Sequence, residues 1–346
     1  MAIRYVSSAC VFLAAALFFS FPAYAQVGLP GIENSVLITY SPVYPEPGDA
    51  VRLSAQSSIL DLSKSNVLWR VNGKVIAQGT GVTSADVTLG ALGVATNVEV
   101  SVAAQDDIVA SAQATIIPTE LDLLVDSDSY VPPFYRGRAY ISPGTRVILR
   151  AIPQFKRPGG SYVSDTNINF TWKKNGEVIG SASGRGRSSA VITAAHLFGT
   201  ERITVEARST DGLFAHEASY SLSPLQPTLM LYQDHPLFGL MYHQALGPTN
   251  FIPDVEMTFV AVPYFAEAQR PEDFALIYAW RVNGKAIPSS AASPNAITIN
   301  AENSSGRALL GLELTHATNY FLDAKGSWSI TFSDSTTLDL FRNLGQ

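Results

Sequence analysis

The sequence predicts an all-β protein: three tandem β-sandwich domains behind a cleaved export signal. Three observations carry this reading. A Trp-x-x-Asn-Gly segment occurs three times, at Trp69, Trp172 and Trp280, spaced by 103 and 108 residues. Apolar and polar residues alternate with period two around each copy, the pattern of half-buried strands. The first 25 residues read as an address rather than as part of a fold.

The address has three parts. Arg4 supplies the positive start, residues 9–21 form an apolar run, and Ala23-Tyr24-Ala25 is a small-x-small cleavage site before Gln26. The run is 13 residues long, short of the ~20 that a spanning helix needs. Cys10 lies inside it, so cleavage leaves 321 residues without cysteine. Disulfides and Cys-based zinc sites are thereby excluded, and each domain must bury a full core of its own. The chain carries 23 Lys+Arg against 29 Asp+Glu, a net charge of −6, which argues against nucleic acid as a partner. No later stretch resembles a transmembrane anchor.

The expected domains are residues 26–118, 119–224 and 225–335, with a tail at 336–346. In each unit an alternating strand (Val51, Leu53, Ala55; Val147, Leu149, Ala151; Met257, Phe259, Ala261) precedes the Trp strand. Asn72-Gly73, Asn175-Gly176 and Asn283-Gly284 then close two-residue hairpins, because a type I′ turn needs positive φ at both central residues. Glycines at 93, 199 and 306 precede a further strand, and a last strand such as Ala218, Tyr220, Leu222 closes the unit. About seven short strands in ~100 residues make a β-sandwich. Trp69, Trp172 and Trp280 are expected to be structural, between the sheets. The competing reading, a sugar-stacking platform, conflicts with their apolar inward register.

A Trp strand followed by Val-Asn-Gly-Lys resembles bacterial immunoglobulin-like and PKD-like modules, which are tandem extracellular sandwiches. Residues 129–139, residues 197–200 and residues 234–239 give the whole chain a resemblance to three-module secreted proteins of candidate-phylum bacteria. That family implies architecture and location, not an activity. The paired Cys of antibody-type domains and the acidic PKD turn are absent, so strand order within each sheet stays open.

Function is expected where the repeats differ. From the first strand to the Ala of the second, repeat 1 spans 17 residues, repeat 2 spans 27 and repeat 3 spans 30. The insertions hold Phe134, Tyr135, Arg136 and Arg138, and Phe238, Met241 and Tyr242. Aromatic and Arg residues on loops suit binding hot spots. The favoured alternative is an interdomain clamp, with each loop folding back on the preceding module, since repeat 1 has none and lacks the insertion. Longer loops also follow Phe155 and Phe265. Residues 183–188 add a mobile basic loop in which Arg185 and Arg187 could meet an anionic glycan or other polyanion, with a solvated hairpin connection as the favoured reading.

Signals for chemistry are weak. Asp126, Asp128 and the Asp106-Asp107 pair could serve calcium at junctions, but the pattern does not repeat in module 3. The five His residues have no metal-ligand spacing, and no nucleophile elbow is present. Asn169 and Asn303 begin chance-level glycosylation sequons. No catalytic residue, metal or cofactor is assigned. The sequence points to an exported, non-enzymatic spacer or adhesion component of the cell envelope or surface. Its partner would be an envelope component, another surface protein or a polysaccharide. The alternative is a secreted carbohydrate-binding protein or an accessory module of a hydrolase system.

Overall fold

The computed structural model describes residues 36–103, 109–196, 199–252, 256–302 and 304–332. The signal segment with Cys10, the Asp106-Asp107 pair, Leu197 and Phe198, Asn303 and the tail lie outside the described residues. No α-helix occurs among the described residues; Asp165–Asn167 forms a single 3-10 turn. No described helix is long and apolar enough to cross a membrane.

Module 1 contains β1 (Val36–Ser41), β2 (Ala50–Ser57), β3 (Asn66–Val71), β4 (Lys74–Thr80), β5 (Ser84–Thr88), β6 (Thr96–Ala103) and β7 (Val109–Ile116). One sheet has the order β1-β2-β5 and the other β4-β3-β6-β7. The fourth strand therefore joins the sheet of strands three, six and seven. In antibody constant-type sandwiches it lies with strands one, two and five instead.

Module 2 repeats the plan. It contains β8 (Glu120–Ser127), β9 (Arg146–Gln154), β10 (Ile168–Lys174), β11 (Glu177–Val178), β12 (Gly184–Arg185), β13 (Ser189–Thr193), β14 (Glu201–Ser209) and β15 (Ala215–Leu222). Its sheets are β13-β9-β8 and β11-β10-β14-β15, with β12 also on β10.

Module 3 contains β16 (Thr228–His235), β17 (Gly239–Leu240), β18 (Thr249–Ile252), β19 (Glu256–Tyr264), β20 (Leu276–Val282), β21 (Lys285–Ile287), β22 (Ala296–Asn300), β23 (Gly306–His316) and β24 (Asp323–Phe332). Its sheets are β17-β16-β19-β22 and β18-β24-β23-β20-β21. All pairings are antiparallel except β18 with β24, which run parallel.

The repeated Trp explains much of this uniformity. Trp69, Trp172 and Trp280 are 0, 0 and 1% exposed. Each indole still needs a partner for its N–H once buried. It donates to Val82 O (2.9 Å), Arg187 O (2.9 Å) and Pro294 O (3.0 Å) respectively. The acceptor in every module is the carbonyl two residues before the strand that pairs with the second strand, so the ring joins the two sheets chemically as well as by packing.

The turn Asn is equally repetitive. Asn72, Asn175 and Asn283 have φ of 48, 52 and 51°, and the glycine after each is also positive. Each Asn exchanges two bonds with the strand after the glycine corner. Asn72 N–H donates to Asn97 O (2.8 Å) while Asn97 N–H donates to Asn72 Oδ1 (2.9 Å). Asn175 does the same with Arg202, and Asn283 with Leu309. Asn is thus used for its tolerance of the left-handed region and for an acceptor that reaches a second strand.

Two compact units emerge. Of the described residues, one holds most of module 1, namely residues 36–42, Ala50–Thr88 and those within Thr96–Ile116. The other holds Val43–Asp49, Leu89–Ala95 and the described residues from Ile117 onward, so modules 2 and 3 belong to one body.

Candidate interaction surfaces

The insertion of module 2 meets the following module, not the preceding one. This corrects the expectation drawn from its absence in repeat 1. The reason is topological. In an antiparallel sandwich the first strand runs away from the module's N-terminus, so the connection from first to second strand lies at the C-terminal pole. There it faces the next module, and residues 128–145 pack against module 3.

The contact starts with backbone. Tyr130 N–H donates to Ala266 O (2.8 Å), and Phe265 N–H donates to Tyr130 O (2.6 Å). Phe265 has φ of +65°, a sparsely populated region for a bulky residue. Such a conformation costs ~1–3 kcal/mol and persists where surrounding contacts over-determine it. Here the paired bonds with Tyr130 do so. Aromatic rings then fill the joint. Tyr135 sets its edge toward Tyr264 (5.8 Å) and Phe265 (5.6 Å), and Tyr140 lies 4.6 Å from Phe265. Phe134 packs on Tyr242 at 4.3 Å, and Tyr242 on Tyr232 at 5.5 Å.

Tyr232, Val262, Tyr264 and Phe265 are buried at the centre of this cluster. The Tyr232 and Tyr264 hydroxyls share a 2.8 Å hydrogen bond. Burial pushes the Tyr130 phenol up to about 12, with Tyr242 and Glu272 adding smaller contributions of the same sign. Tyr264 and Tyr242 are also raised, first by burial.

A polar latch lies beside the aromatic cluster. Asn319, 2% exposed, donates from Nδ2 to Pro143 O (2.8 Å) and to Glu267 Oε2 (2.7 Å). Gly144 has φ of +82°, and a Cβ there would collide with both Glu267 and Asn319. Ser142 Oγ donates to Leu225 O (2.8 Å), and Leu225 N–H donates to Ile141 O (2.8 Å), which ties the linker to the same insertion. Ile141, Ser142, Tyr264 and Asn319 carried no obvious sequence signal. The alternation of β19 would have suggested Tyr264 as outward and solvated, but the neighbouring module covers it.

The remaining sequence candidates scatter. Arg136 and Arg138 stay exposed. Phe238, 72% exposed, packs on His235 at 4.8 Å, and Met241 N–H pairs with Gln233 O along the edge of β16, outside the aromatic cluster. The 183–188 segment is ordered by strand pairing: Arg185 sits opposite Asn169 in β12. Arg185 donates to Thr166 O and to Asn167 Oδ1 (2.8 Å), and Arg187 donates to Ser181 O. Those bonds stay inside module 2, in a hairpin connection whose Arg187 carbonyl accepts the Trp172 indole N–H, and Arg185 and Arg187 remain exposed.

Phe155 is likewise internal, stacked on Phe214 at 5.8 Å. Arg157 lies over the Phe214 ring (5.7 Å) and bridges to Asp211 (2.6 Å). Asp126 accepts the Ser127 N–H and Asp128 accepts the Arg146 N–H (2.8 Å). Among the described residues no three His, Cys, Asp or Glu side chains converge as metal ligands.

No protein-family model matches the chain, and no curated protein matches it. Solved structures resemble it in fold. The fibronectin(III)-like modules of Clostridium thermocellum CbhA share 22% identity over 55% of this chain and 95% of theirs, with a TM-score of 0.28. The central fibronectin-III array of RIM-binding protein shares 12% over 89% and 100%, with a TM-score of 0.31. Bacteroides ovatus SGBP-B from a mixed-linkage glucan utilization locus, solved with a mixed-linkage heptasaccharide, shares 12% over 86% and 70%, with a TM-score of 0.23. At these values the likeness carries no argument about this chain, whose sandwiches are seen in its own strand pairings.

Proposed function

We propose that the protein is an exported, non-enzymatic spacer or adhesion component of the cell envelope, built to hold surface loops at a fixed geometry. The observation that carries this reading is the joint between modules 2 and 3. Neighbouring domains move relative to one another by default unless their interface is large and apolar. Here a dedicated insertion supplies aromatic rings, a reciprocal backbone pair and a buried Asn latch to that interface. An array evolved only to tether loosely would not need them.

The experiment is small-angle scattering of the full chain with Phe134→Ala and Tyr135→Ala combined. Release of the joint is expected as a larger radius of gyration and a broader distance distribution. Unchanged scattering would sink the spacer reading. Fractionation of the producing cell, followed by crosslinking, tests location; recovery from the cytoplasm would contradict it. A second reading, a secreted carbohydrate-binding protein, draws on a separate feature of module 2.

A further inference from the structure

We infer that module 2 carries a binding site for a neutral saccharide in the open seam between its two sheets, with Tyr220, Tyr140, Asp126 and Arg138 as the contacting residues.

One strand position on the closing strand recurs in all three modules. Trp172 pairs through Val205 to Ala218, and Trp280 pairs through Leu312 to Gly326. Tyr220 of β15 is thereby equivalent to Trp328 of β24. The same count in module 1 gives Ala114 of β7. All three stand in the inward register. Trp328 is 6% exposed, and in module 3 the edge of β24 is covered by the parallel strand β18. Tyr220 is 38% exposed although His216 and Leu222, in the same register, are 5% and 0% exposed.

The chain that could cover it stands off. Residues 138–141, late in the insertion of module 2, hold the place that β18 takes in module 3, yet their backbone bonds toward the β15 side only at Ile141, which accepts from Leu225 N–H. Between them and β15 lies a cleft of about 260 Å³. An aromatic residue in core register, left half-uncovered beside a cavity, is unusual for a sandwich whose interior is otherwise closed.

The lining fits the two-sided chemistry of a sugar ring. Leu123 and Val125, which also pack against the module core, line it together with Tyr220 and with Tyr140, whose ring also packs on Phe265. Asp126, in the outward register of β8, and Arg138 border the same space, as does Ser223. Both charged groups are exposed, and neither forms a salt bridge among the described residues. A pyranose presents C–H groups on its face, which gain by leaving water against aromatic carbon. Its edge presents neighbouring hydroxyls, which a carboxylate and a guanidinium can each engage with two charge-assisted hydrogen bonds. One negative and one positive group sum to zero, so the cleft has no net charge to draw in an anionic sugar.

The test is affinity electrophoresis of the full chain in gels carrying a soluble β-glucan, xylan, mannan or α-glucan, with polygalacturonate as the anionic comparison. Retardation is expected in at least one neutral gel. It should weaken about tenfold or more in Tyr220→Ala and in Arg138→Ala, and persist in Tyr220→Phe. Arg138 is exposed, so its variant keeps the test informative if Tyr220→Ala misfolds. Absence of retardation in all four neutral gels overturns the inference, as does retardation by polygalacturonate alone or retardation untouched by Arg138→Ala. A synthetic peptide of residues 246–252 serves as the competing occupant. Tyr220-dependent binding of that peptide, without any neutral saccharide, would show that the seam takes an extended strand and would also overturn it. The scattering test of the spacer reading is independent of these outcomes.

Discussion

Asn319→Ala is the most direct perturbation of the joint between modules 2 and 3. The side chain is 2% exposed and makes two donor contacts that alanine cannot replace. One is to the Pro143 carbonyl of module 2 (2.8 Å), worth ~0.5–1.5 kcal/mol as a neutral hydrogen bond. The other is to the Glu267 carboxylate (2.7 Å), worth ~1.5–3 kcal/mol as a bond to a charged group. Glu267 is half-buried, so water partly compensates and the lower end applies to it. Together the loss is about 2–3 kcal/mol. For a body of two modules this lowers the unfolding midpoint by about 4–12 °C.

The assay is calorimetry of the full chain. In the parent, modules 2 and 3 are expected to unfold in one transition, since they share one body. In Asn319→Ala that transition should fall and split as module 3 uncouples. An unchanged midpoint with a single transition would refute the assignment of the latch. Gly144→Ala should phenocopy the variant, because its Cβ would enter the space of Asn319 and Glu267 at a positive φ.

Three further outcomes follow from the packing. Trp172→Ala should cost ~3–5 kcal/mol by chemical denaturation, and Trp172→Phe only part of that, chiefly the bond to Arg187 O; a Trp172→Phe variant as stable as the parent would deny the indole N–H its role. Gly326→Ala should destabilise module 3 and shift the near-ultraviolet dichroism of Trp328, because a Cβ at 326 would overlap that ring; an unperturbed spectrum would contradict the packing. His216 is 5% exposed and within 3.1 Å of Thr119 Oγ1, and its pKa is held below the ordinary value, first by burial, with Glu46 and Asp49 opposing. The unfolded chain therefore binds the proton more readily. His216 contributes stability that is fully present above the unfolded value of about 6.5 and is lost as pH falls through the folded value. The midpoint difference between parent and His216→Gln should shrink from pH 8 to pH 5, and a constant difference would exclude the linkage.

The three sandwiches were legible because their determinants are local. Period-two alternation places Trp69, Trp172 and Trp280 on the inner face, and Asn-Gly can close only a narrow set of turns. Phe134, Tyr135 and Tyr242 were visible as unusual for the same reason: they break the pattern of their own repeat. Which surface they meet was not encoded locally. Alternation separates inside from outside but does not name the neighbour, so Tyr232 and Tyr264, outward in their own sheet, are buried because Tyr242 of the same module and the insertion of module 2 cover them. The half-uncovered Tyr220 differs from the covered Trp328 through a strand that pairs in one module and stands off in the other. Such choices depend on contacts between residues about 80 to 180 positions apart, as with Ser142 and Leu225 or Pro143 and Asn319, and the free energy of those contacts exists only once the chain has folded.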